Sequence, residues 1–193
     1  MISDTIRVAL LVAEALERCR LRYLVGGSLA SAVSGEPRST IDVDMVIELT
    51  ESDVAPLSAA LGDRFHVDAD ALLRAVRERS STNIFHVETS TKVDLFVVVP
   101  SALHDRPMDR RQRVQVATDP AAWLYFYTPE DILLQKLRWY RMGNESSDRQ
   151  WRDVVGIILV QSDRLDVAYL EHTAETLGLS DLLQRALRQV RGE

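Results

Sequence analysis

The chain has 193 residues, of which 46% are hydrophobic and 27% are charged. This composition is that of an ordinary globular protein and excludes a disordered or low-complexity chain. The longest apolar run, Val154 to Val160, is far shorter than the roughly 20 residues that a membrane helix needs. Because the N-terminus has no signal-peptide pattern and Cys19 is the only cysteine, we expect a cytoplasmic protein with no membrane segment and no disulfide.

The formal net charge of -6 means that the field of the whole molecule does not attract nucleic acid. Any contact with RNA must therefore come from a local basic patch. The sequence offers two such clusters, and each is either a binding surface or a solvated face balanced by acids. The clusters are Arg106, Arg110, Arg111 and Arg113, and Lys136, Arg138, Arg141, Arg149 and Arg152.

The first half of the chain alternates short helical and strand patterns. It opens with an amphipathic helix over residues 3–20, for which Ser3 or Asp4 is the expected N-cap. Two further helices are predicted over about 53–61 and 68–79, the first ending at a glycine and the second beginning at an aspartate. The predicted strands are Tyr23–Val25, Ile41–Leu49, Phe65–Val67, Asn83–Glu88 and Lys92–Val99, the last two forming a hairpin.

The second half is mixed at first and then entirely helical. Residues 101–128 contain an arginine-rich loop, a short strand near 114–116 and an aromatic patch over 123–127. The patch fits a core or domain contact, although stacking on a nucleobase is also open. The predicted helices that follow cover about 129–140, 146–160, 166–177 and 180–190. The sequence thus predicts two domains, residues 1–127 and 128–193.

The stretch Tyr23 to Asp44 carries the strongest chemical signal. It reads as strand, glycine turn, short helix, loop and second strand, and the two-residue period of that strand puts Asp42 and Asp44 on the same side. Two neighbouring carboxylates repel each other unless a cation lies between them, and Mg²⁺ prefers such oxygen ligands. At the other end, Gly26 and Gly27 let the backbone approach a ligand, and Ser28 opens a helix whose free N–H groups favour an anion.

Asp94 is the third carboxylate of interest. It lies within the apolar run Val-Asp-Leu-Phe-Val-Val-Val, where an unpaired charge is costly to bury, by several kcal/mol. Asp94 therefore needs a partner, unless it lies on an edge strand and faces water. On the predicted strand, Val93, Leu95 and Val97 face one side, and Lys92, Asp94 and Phe96 face the other.

These motifs resemble the nucleotidyltransferase superfamily related to DNA polymerase beta, whose signature is Gly-Ser or Gly-Gly-Ser/Thr followed by Asp-x-Asp. The form Gly26-Gly27-Ser28 followed by Asp42-Val43-Asp44 is most similar to the AbiEii-type branch. The resemblance implies an α+β nucleotidyltransferase fold, with a mixed sheet flanked by helices and then a C-terminal helical bundle. The pattern Lys-Val-Asp-Leu-Phe around Asp94 matches the strand that completes the metal site in this family.

The resemblance also assigns roles to the remaining candidate residues. Lys136, on a helix, would contact nucleotide phosphates, and Asp153 would hold the C-terminal lobe against the active site; the alternative for both is an ordinary surface ion pair. Arg38 and Thr40 would touch phosphate or brace the loop. The catalytic and metal-binding set would be Asp42, Asp44 and Asp94, with Gly26, Gly27, Ser28, Arg38, Thr40 and Lys136 as the nucleotide-binding set.

The implied reaction transfers NMP from a nucleoside triphosphate, ATP among the candidates, to an acceptor hydroxyl with Mg²⁺ or Mn²⁺ as cofactor. The AbiEii-type branch includes toxins of toxin–antitoxin and phage-defence systems, so tRNA as acceptor and a cognate antitoxin as partner are expectations. One alternative is a small-molecule acceptor, as in lincosamide or aminoglycoside nucleotidyltransferases. Another is a non-catalytic nucleotide-binding module. Rival motifs such as Gly-Lys-Ser/Thr and His-Glu-x-x-His do not occur in the sequence.

Overall fold

The computed structural model describes residues 3–37, 40–98 and 106–192. Contacts within the chain divide it into two compact units. The first unit contains Met1–Leu29 and Thr40–Phe126, and the second contains Ala30–Ser39 and Tyr127–Glu193. The two domains expected from the sequence, residues 1–127 and 128–193, stay a prediction.

The first unit is built on one mixed seven-stranded sheet in the order β3-β4-β5-β2-β1-β7-β6. The pairs β2–β5 and β1–β7 are parallel, and the other neighbouring pairs are antiparallel. The strands are β1 (Tyr23–Val25), β2 (Val43–Glu48), β3 (Phe65–His66), β4 (Ser81–His86), β5 (Lys92–Val98), β6 (Gln112–Thr118) and β7 (Ala121–Phe126).

The central strands follow the alternation that the sequence predicts. In β5 the residues Val93, Leu95 and Val97 are buried, whereas the residues between them are half-buried. Val43, Met45 and Ile47 of β2 form the matching buried row, with no exposed surface. Because successive side chains point to opposite faces, the polar residues of both strands lie together on the other face of the sheet.

Helices cover the apolar side of this sheet. Helix α1 (Asp4–Arg18) begins at the predicted cap, since the Ser3 side chain accepts a hydrogen bond from the backbone N–H of Ile6. The remaining helices of this unit are α3 (Val54–Leu61), α4 (Ala69–Glu78) and α5 (Arg106–Arg110), while α2 (Gly27–Ser34) begins in this unit. The apolar stripe Val8, Val12 and Leu16 of α1 is buried, which accounts for the amphipathic pattern of the N-terminus.

Strands β6 and β7 form a hairpin that the sequence predicts only in part. The strand expected near 114–116 extends over the whole of β6, and the aromatic patch forms most of β7, the second strand of the pair. Leu124 and Phe126 are buried, whereas Tyr125 between them is half-buried and Trp123 is exposed. Since both faces of β7 carry large apolar or aromatic residues, the two-residue period is hidden in the sequence.

In the described part of the chain, four α-helices lie wholly within the second unit, and three of them begin at a side-chain cap. Thr128, Ser147 and Asp166 each accept a hydrogen bond from a backbone N–H in the first turn of the helix that follows. These helices are α6 (Pro129–Met142), α7 (Asp148–Gln161), α8 (Val167–Leu177) and α9 (Ser180–Arg191). The predicted α+β class, a mixed sheet with helices followed by a helical C-terminal region, is confirmed.

Residues 30–39 belong with these helices because one glycine lies directly against α7. A Cβ atom added to Gly35 would lie 2.9 Å from the backbone nitrogen of Ile157. Nearby, the Gln161 side chain donates a hydrogen bond to the Ser34 carbonyl. The close contact therefore requires glycine at position 35.

None of the helices in the described segments combines the length and the apolar character that a bilayer crossing requires.

Candidate active site

The parallel pairing of β2 with β5 brings two of the predicted carboxylates together. Asp44 and Asp94 are direct partners in the register of the two strands. Paired strands lie about 4.8 Å apart, and residues directly opposite each other point to the same face. The strand burial places both aspartates half-buried on the polar face of the sheet. The alternative of an edge-strand Asp94 does not apply, because β5 lies between β4 and β2.

Asp42 lies one residue before β2 and is held there by a short chain of hydrogen bonds. The Thr40 hydroxyl donates to the Asp42 carbonyl at 3.3 Å, and the Thr5 hydroxyl donates to the Thr40 carbonyl at 2.9 Å. Thr40 thus braces the segment that leads to Asp42. Its predicted contact with nucleotide stays a prediction, and Arg38 lies outside the described residues.

Lys92 provides a cation beside the carboxylates. Its ammonium donates to Asp94 Oδ2 at 2.7 Å. This hydrogen bond is the main cause that raises the pKa of Lys92, and the charges of Asp42 and Asp44 raise it further, against an opposing effect of burial. Lys92 therefore stays charged at neutral pH and interacts with all three carboxylates. The sequence places Lys92 on the same strand face as Asp94, which is the signal by which it could have been chosen.

The glycine turn lies against the same carboxylate pair. The Gly26 N–H donates to the Asp44 carbonyl at 2.8 Å, and Gly27 has a φ of 53° at the start of α2. A Cβ atom on Gly27 would lie 1.8 Å from Asp44 Oδ2. The Asp44 carboxylate thus occupies the space that any side chain at position 27 would need. Ser28 follows in the first turn of α2, so the predicted glycine–serine turn and Asp44 are neighbours.

The donor set suits a hard divalent ion in its chemistry. The carboxylates of Asp42, Asp44 and Asp94 offer only oxygen ligands, which Mg²⁺ and Mn²⁺ prefer. Within residues 3–37, 40–98 and 106–192, however, no three His, Cys, Asp or Glu side chains are already arranged to hold a metal ion. Lys92 supplies the neighbouring positive charge instead, so the three-carboxylate metal site stays a prediction.

Lys136 and Asp153 form a buried ion pair in the second unit. The Lys136 ammonium lies 2.9 Å from Asp153 Oδ2, and the two side chains are 2% and 7% exposed. The alternative of an ordinary surface ion pair is therefore wrong. Lys136 also lies 5.8 Å from the ring centroid of Trp139. The nucleotide contact predicted for Lys136 and the bracing role predicted for Asp153 stay predictions, and any such contact has to accommodate this pair.

Comparisons with known proteins bear on the fold. The sequence matches no protein-family model and no curated protein. Solved structures do match. An antigenic nucleotidyltransferase-like protein from Paracoccidioides brasiliensis is similar over 95% of this chain and 94% of its own, with 19% identity and a TM-score of 0.51.

Two antibiotic-related structures are similar at the same level. ANT(2″)-Ia in complex with adenylyl-2″-tobramycin covers 90% of this chain and 97% of its own, with 11% identity and a TM-score of 0.57. The lincomycin-bound lincosamide antibiotic adenylyltransferase LnuA covers 81% and 96%, with 12% identity and a TM-score of 0.52. At these identities the likeness establishes the fold, which is nucleotidyltransferase-like. The AbiEii-type branch stays a prediction.

The close approach at Gly27 predicts a specific effect of a single methyl group. Replacement of Gly27 by Ala both disfavours the positive φ and displaces the Asp44 carboxylate. We expect Gly27→Ala to lower the free energy of unfolding by about 3 kcal/mol in a urea titration. In calorimetric titration with Mn²⁺, we expect at least a tenfold weaker affinity than that of the native protein.

Gly178→Ala is the matched control, because Gly178 is left-handed with a φ of 66° and no atom lies within 4 Å of its added Cβ. This substitution should lower the free energy of unfolding by about 1 kcal/mol, because only the backbone conformation is disfavoured, and it should leave the affinity for Mn²⁺ unchanged. Equal effects of the two substitutions would mean that the Gly27–Asp44 contact has no special importance.

The Lys136–Asp153 pair predicts strong coupling in a double-mutant cycle. Lys136→Met removes the ammonium from the buried Asp153 carboxylate, and Asp153→Leu removes the carboxylate from the buried Lys136, so each should lower the free energy of unfolding by about 3–5 kcal/mol. The double variant removes both charges and should be within about 1 kcal/mol of the native protein. Urea unfolding of the four proteins measures the cycle. Additive single effects would show that the two groups do not depend on each other.

Proposed function

We propose that this protein is a metal-dependent nucleotidyltransferase that transfers NMP from a nucleoside triphosphate to an acceptor hydroxyl, with release of pyrophosphate. The observation that carries the proposal is the in-register placement of Asp44 and Asp94 on adjacent parallel strands, with Gly27 against the Asp44 carboxylate. The nucleotidyltransferase-like fold supports it. A cluster of carboxylates of this kind can hold cations, and those cations can bind phosphates.

In this proposal Asp42, Asp44 and Asp94 hold Mg²⁺ or Mn²⁺. These residues would hold the ion, which when bound would supply positive charge to the phosphoryl oxygens and make a neighbouring hydroxyl more acidic. Lys92 then no longer has to neutralise the carboxylates alone. Its ammonium is able to turn from Asp94 towards a phosphate oxygen, because the side chain is long and 38% exposed.

The glycine turn would hold the triphosphate. The backbone N–H groups in the first turn of a helix point out of its N-terminal end, and the helix dipole favours an anion there. Gly26 and Gly27 permit a close approach of phosphate to the backbone, and the Ser28 hydroxyl is a further donor group. This end of α2 lies beside Asp44, so a phosphate held there would lie near the carboxylates.

The reaction is an in-line displacement at the α-phosphorus. The acceptor oxygen forms a bond to phosphorus while the bond from phosphorus to the pyrophosphate oxygen breaks. The acceptor proton passes to a carboxylate, for which Asp94 is the candidate because it lies opposite Asp44 on the neighbouring strand and is 22% exposed. The protein contributes mainly position and charge, as is usual for phosphoryl-type transfer.

Two acceptor classes follow from different observations. The sequence resemblance to the AbiEii-type branch favours tRNA, in a toxin-like role with a cognate antitoxin. The likeness to the two antibiotic-related structures, over 90% and 81% of this chain, favours a small hydroxylated molecule such as an aminoglycoside or a lincosamide. Both use the same proposed site and differ only in what delivers the hydroxyl.

The test is transfer of label from α-³²P-labelled nucleoside triphosphates onto total tRNA, onto protein, and onto panels of aminoglycosides and lincosamides. Asp44→Asn keeps the shape of the side chain and removes its charge, so we expect transfer to fall by about 100-fold or more. Asp63→Asn is the matched control, since Asp63 is exposed in a turn away from β2. It should retain native activity.

The outcomes separate the alternatives. Labelled RNA supports the toxin-like role, and a labelled antibiotic supports the resistance role. Nucleotide binding without transfer to any acceptor would favour a non-catalytic module and contradict the proposal. Equal transfer by Asp44→Asn and the native protein would show that the reaction takes place elsewhere.

A further inference from the structure

A second concave surface lies in the first unit, at the opposite end of β1 from the glycine turn. It is a groove of about 500 Å³ between the end of α1 and the β6–β7 hairpin. Arg22 and Tyr23 at the start of β1 line it, whereas Gly26 and the carboxylates lie beyond the other end of this strand. Three residues of strand span about 10 Å, so the groove is distinct from the candidate active site.

The groove is basic although the whole chain carries a formal net charge of -6. Four arginines line it, with Glu17 as the acid among them: Arg20, Arg22, Arg111 and Arg113. Arg22 is already balanced, since it lies 3.4 Å from Glu48 and 2.5 Å from Asp109. The four arginines therefore face three carboxylates, Glu17, Glu48 and Asp109, which leaves a surplus of one positive charge.

Two of these arginines lie over aromatic rings. The Arg111 guanidinium is 4.7 Å from the ring centroid of Tyr125, and the Arg113 guanidinium is 4.9 Å from that of Trp123. Arg113 and Tyr125 are direct partners across the hairpin, so the stacks follow one another along its surface. Cation–π contacts hold both guanidinium groups in place, and Arg111 is held further by its hydrogen bond to the Met108 carbonyl. The exposed Arg113 offers N–H groups to other acceptors.

The rings are also held from below. The Tyr23 and Tyr125 rings meet edge to face at 5.7 Å, and the Tyr23 hydroxyl donates to Glu17 at 3.0 Å. Burial, and then the charge of Glu17, raise the pKa of the Tyr23 phenol, so it stays a hydrogen-bond donor. Trp123, in contrast, keeps 40% of its surface exposed. Tyr23 and Tyr125 are therefore held in place, whereas the Trp123 ring is accessible.

We propose that this groove binds single-stranded nucleic acid. Fixed positive charge would contact the phosphates, and Trp123 with the guanidinium planes would stack on unpaired bases, which have π faces on both sides. A duplex hides those faces, so charge alone would act on it. A folded protein partner could pair carboxylates with the arginines but has no unpaired bases to stack on Trp123. The inference concerns binding only and does not require the transfer reaction.

The experiment measures fluorescence anisotropy of fluorescein-labelled U₁₂ RNA and dT₁₂ with the full chain, in EDTA and without nucleotide. Native protein should bind both strands, and a labelled 12-base-pair duplex at least tenfold more weakly. Arg113→Glu should weaken strand binding at least tenfold and lower the dependence of log K on log salt by about 0.7 for each phosphate that is no longer neutralised. Trp123→Ala should weaken binding about tenfold while leaving the salt dependence unchanged.

Arg188→Glu is the matched control, because it makes the same charge change at an exposed position of α9. It should bind like the native protein. Thermal unfolding checks that every variant is folded. Arg113→Lys keeps the charge and removes the planar guanidinium group, so it should bind the single strands with intermediate affinity.

Three results would overturn the proposal. One is equal affinity of Arg113→Glu and native protein; another is an equal decrease in affinity in Arg188→Glu. The third is duplex or inorganic polyphosphate binding as tightly as U₁₂, which would mean a site for charge without base stacking. A protein that binds U₁₂ through Arg113 but transfers no label would contradict the proposed reaction and leave this inference standing.

Discussion

The parallel pairing of β2 with β5 is the constraint on which the candidate site depends. It places Asp44 opposite Asp94, in a sheet position where like charges destabilise the fold unless a cation compensates them. In the structure that cation is Lys92, whose ammonium lies 2.7 Å from Asp94. A fold selected for stability alone has no need of two carboxylates here. Their presence, with a long and partly exposed lysine beside them, is the basis of the proposed phosphate chemistry.

Gly27 lies between the proposed phosphate position and the carboxylates. Its missing side chain leaves room for Asp44 Oδ2, and its positive φ turns the chain from β1 into α2. The same residue therefore fixes the position of a carboxylate and the direction of a helix N-terminus. Because both depend on one backbone conformation, the relation between proposed cation and phosphate positions is set by local geometry within the first unit.

Much of the fold could be predicted because local signals were clear: alternation in β5, the Ser3 and Thr128 caps, and the glycine turn. The strand β7 could be predicted only in part, since its two faces are both apolar or aromatic. The pairing of Lys136 with Asp153 also needed the structure, because it depends on how α6 packs against α7. Lys92 was visible in sequence as a neighbour of Asp94, but its interaction with Asp42 and Asp44 depends on the β2–β5 register.

The most direct test of this account is an anomalous diffraction map from crystals grown with Mn²⁺ and a non-hydrolysable nucleoside triphosphate. The account predicts a manganese peak about 2.2 Å from carboxylate oxygens of Asp44 and its neighbours, with the triphosphate against Gly27 and Ser28. It also predicts that Lys92 turns from Asp94 towards phosphate. A nucleotide bound at another surface, with no manganese at Asp44 and Lys92 still on Asp94, would contradict it.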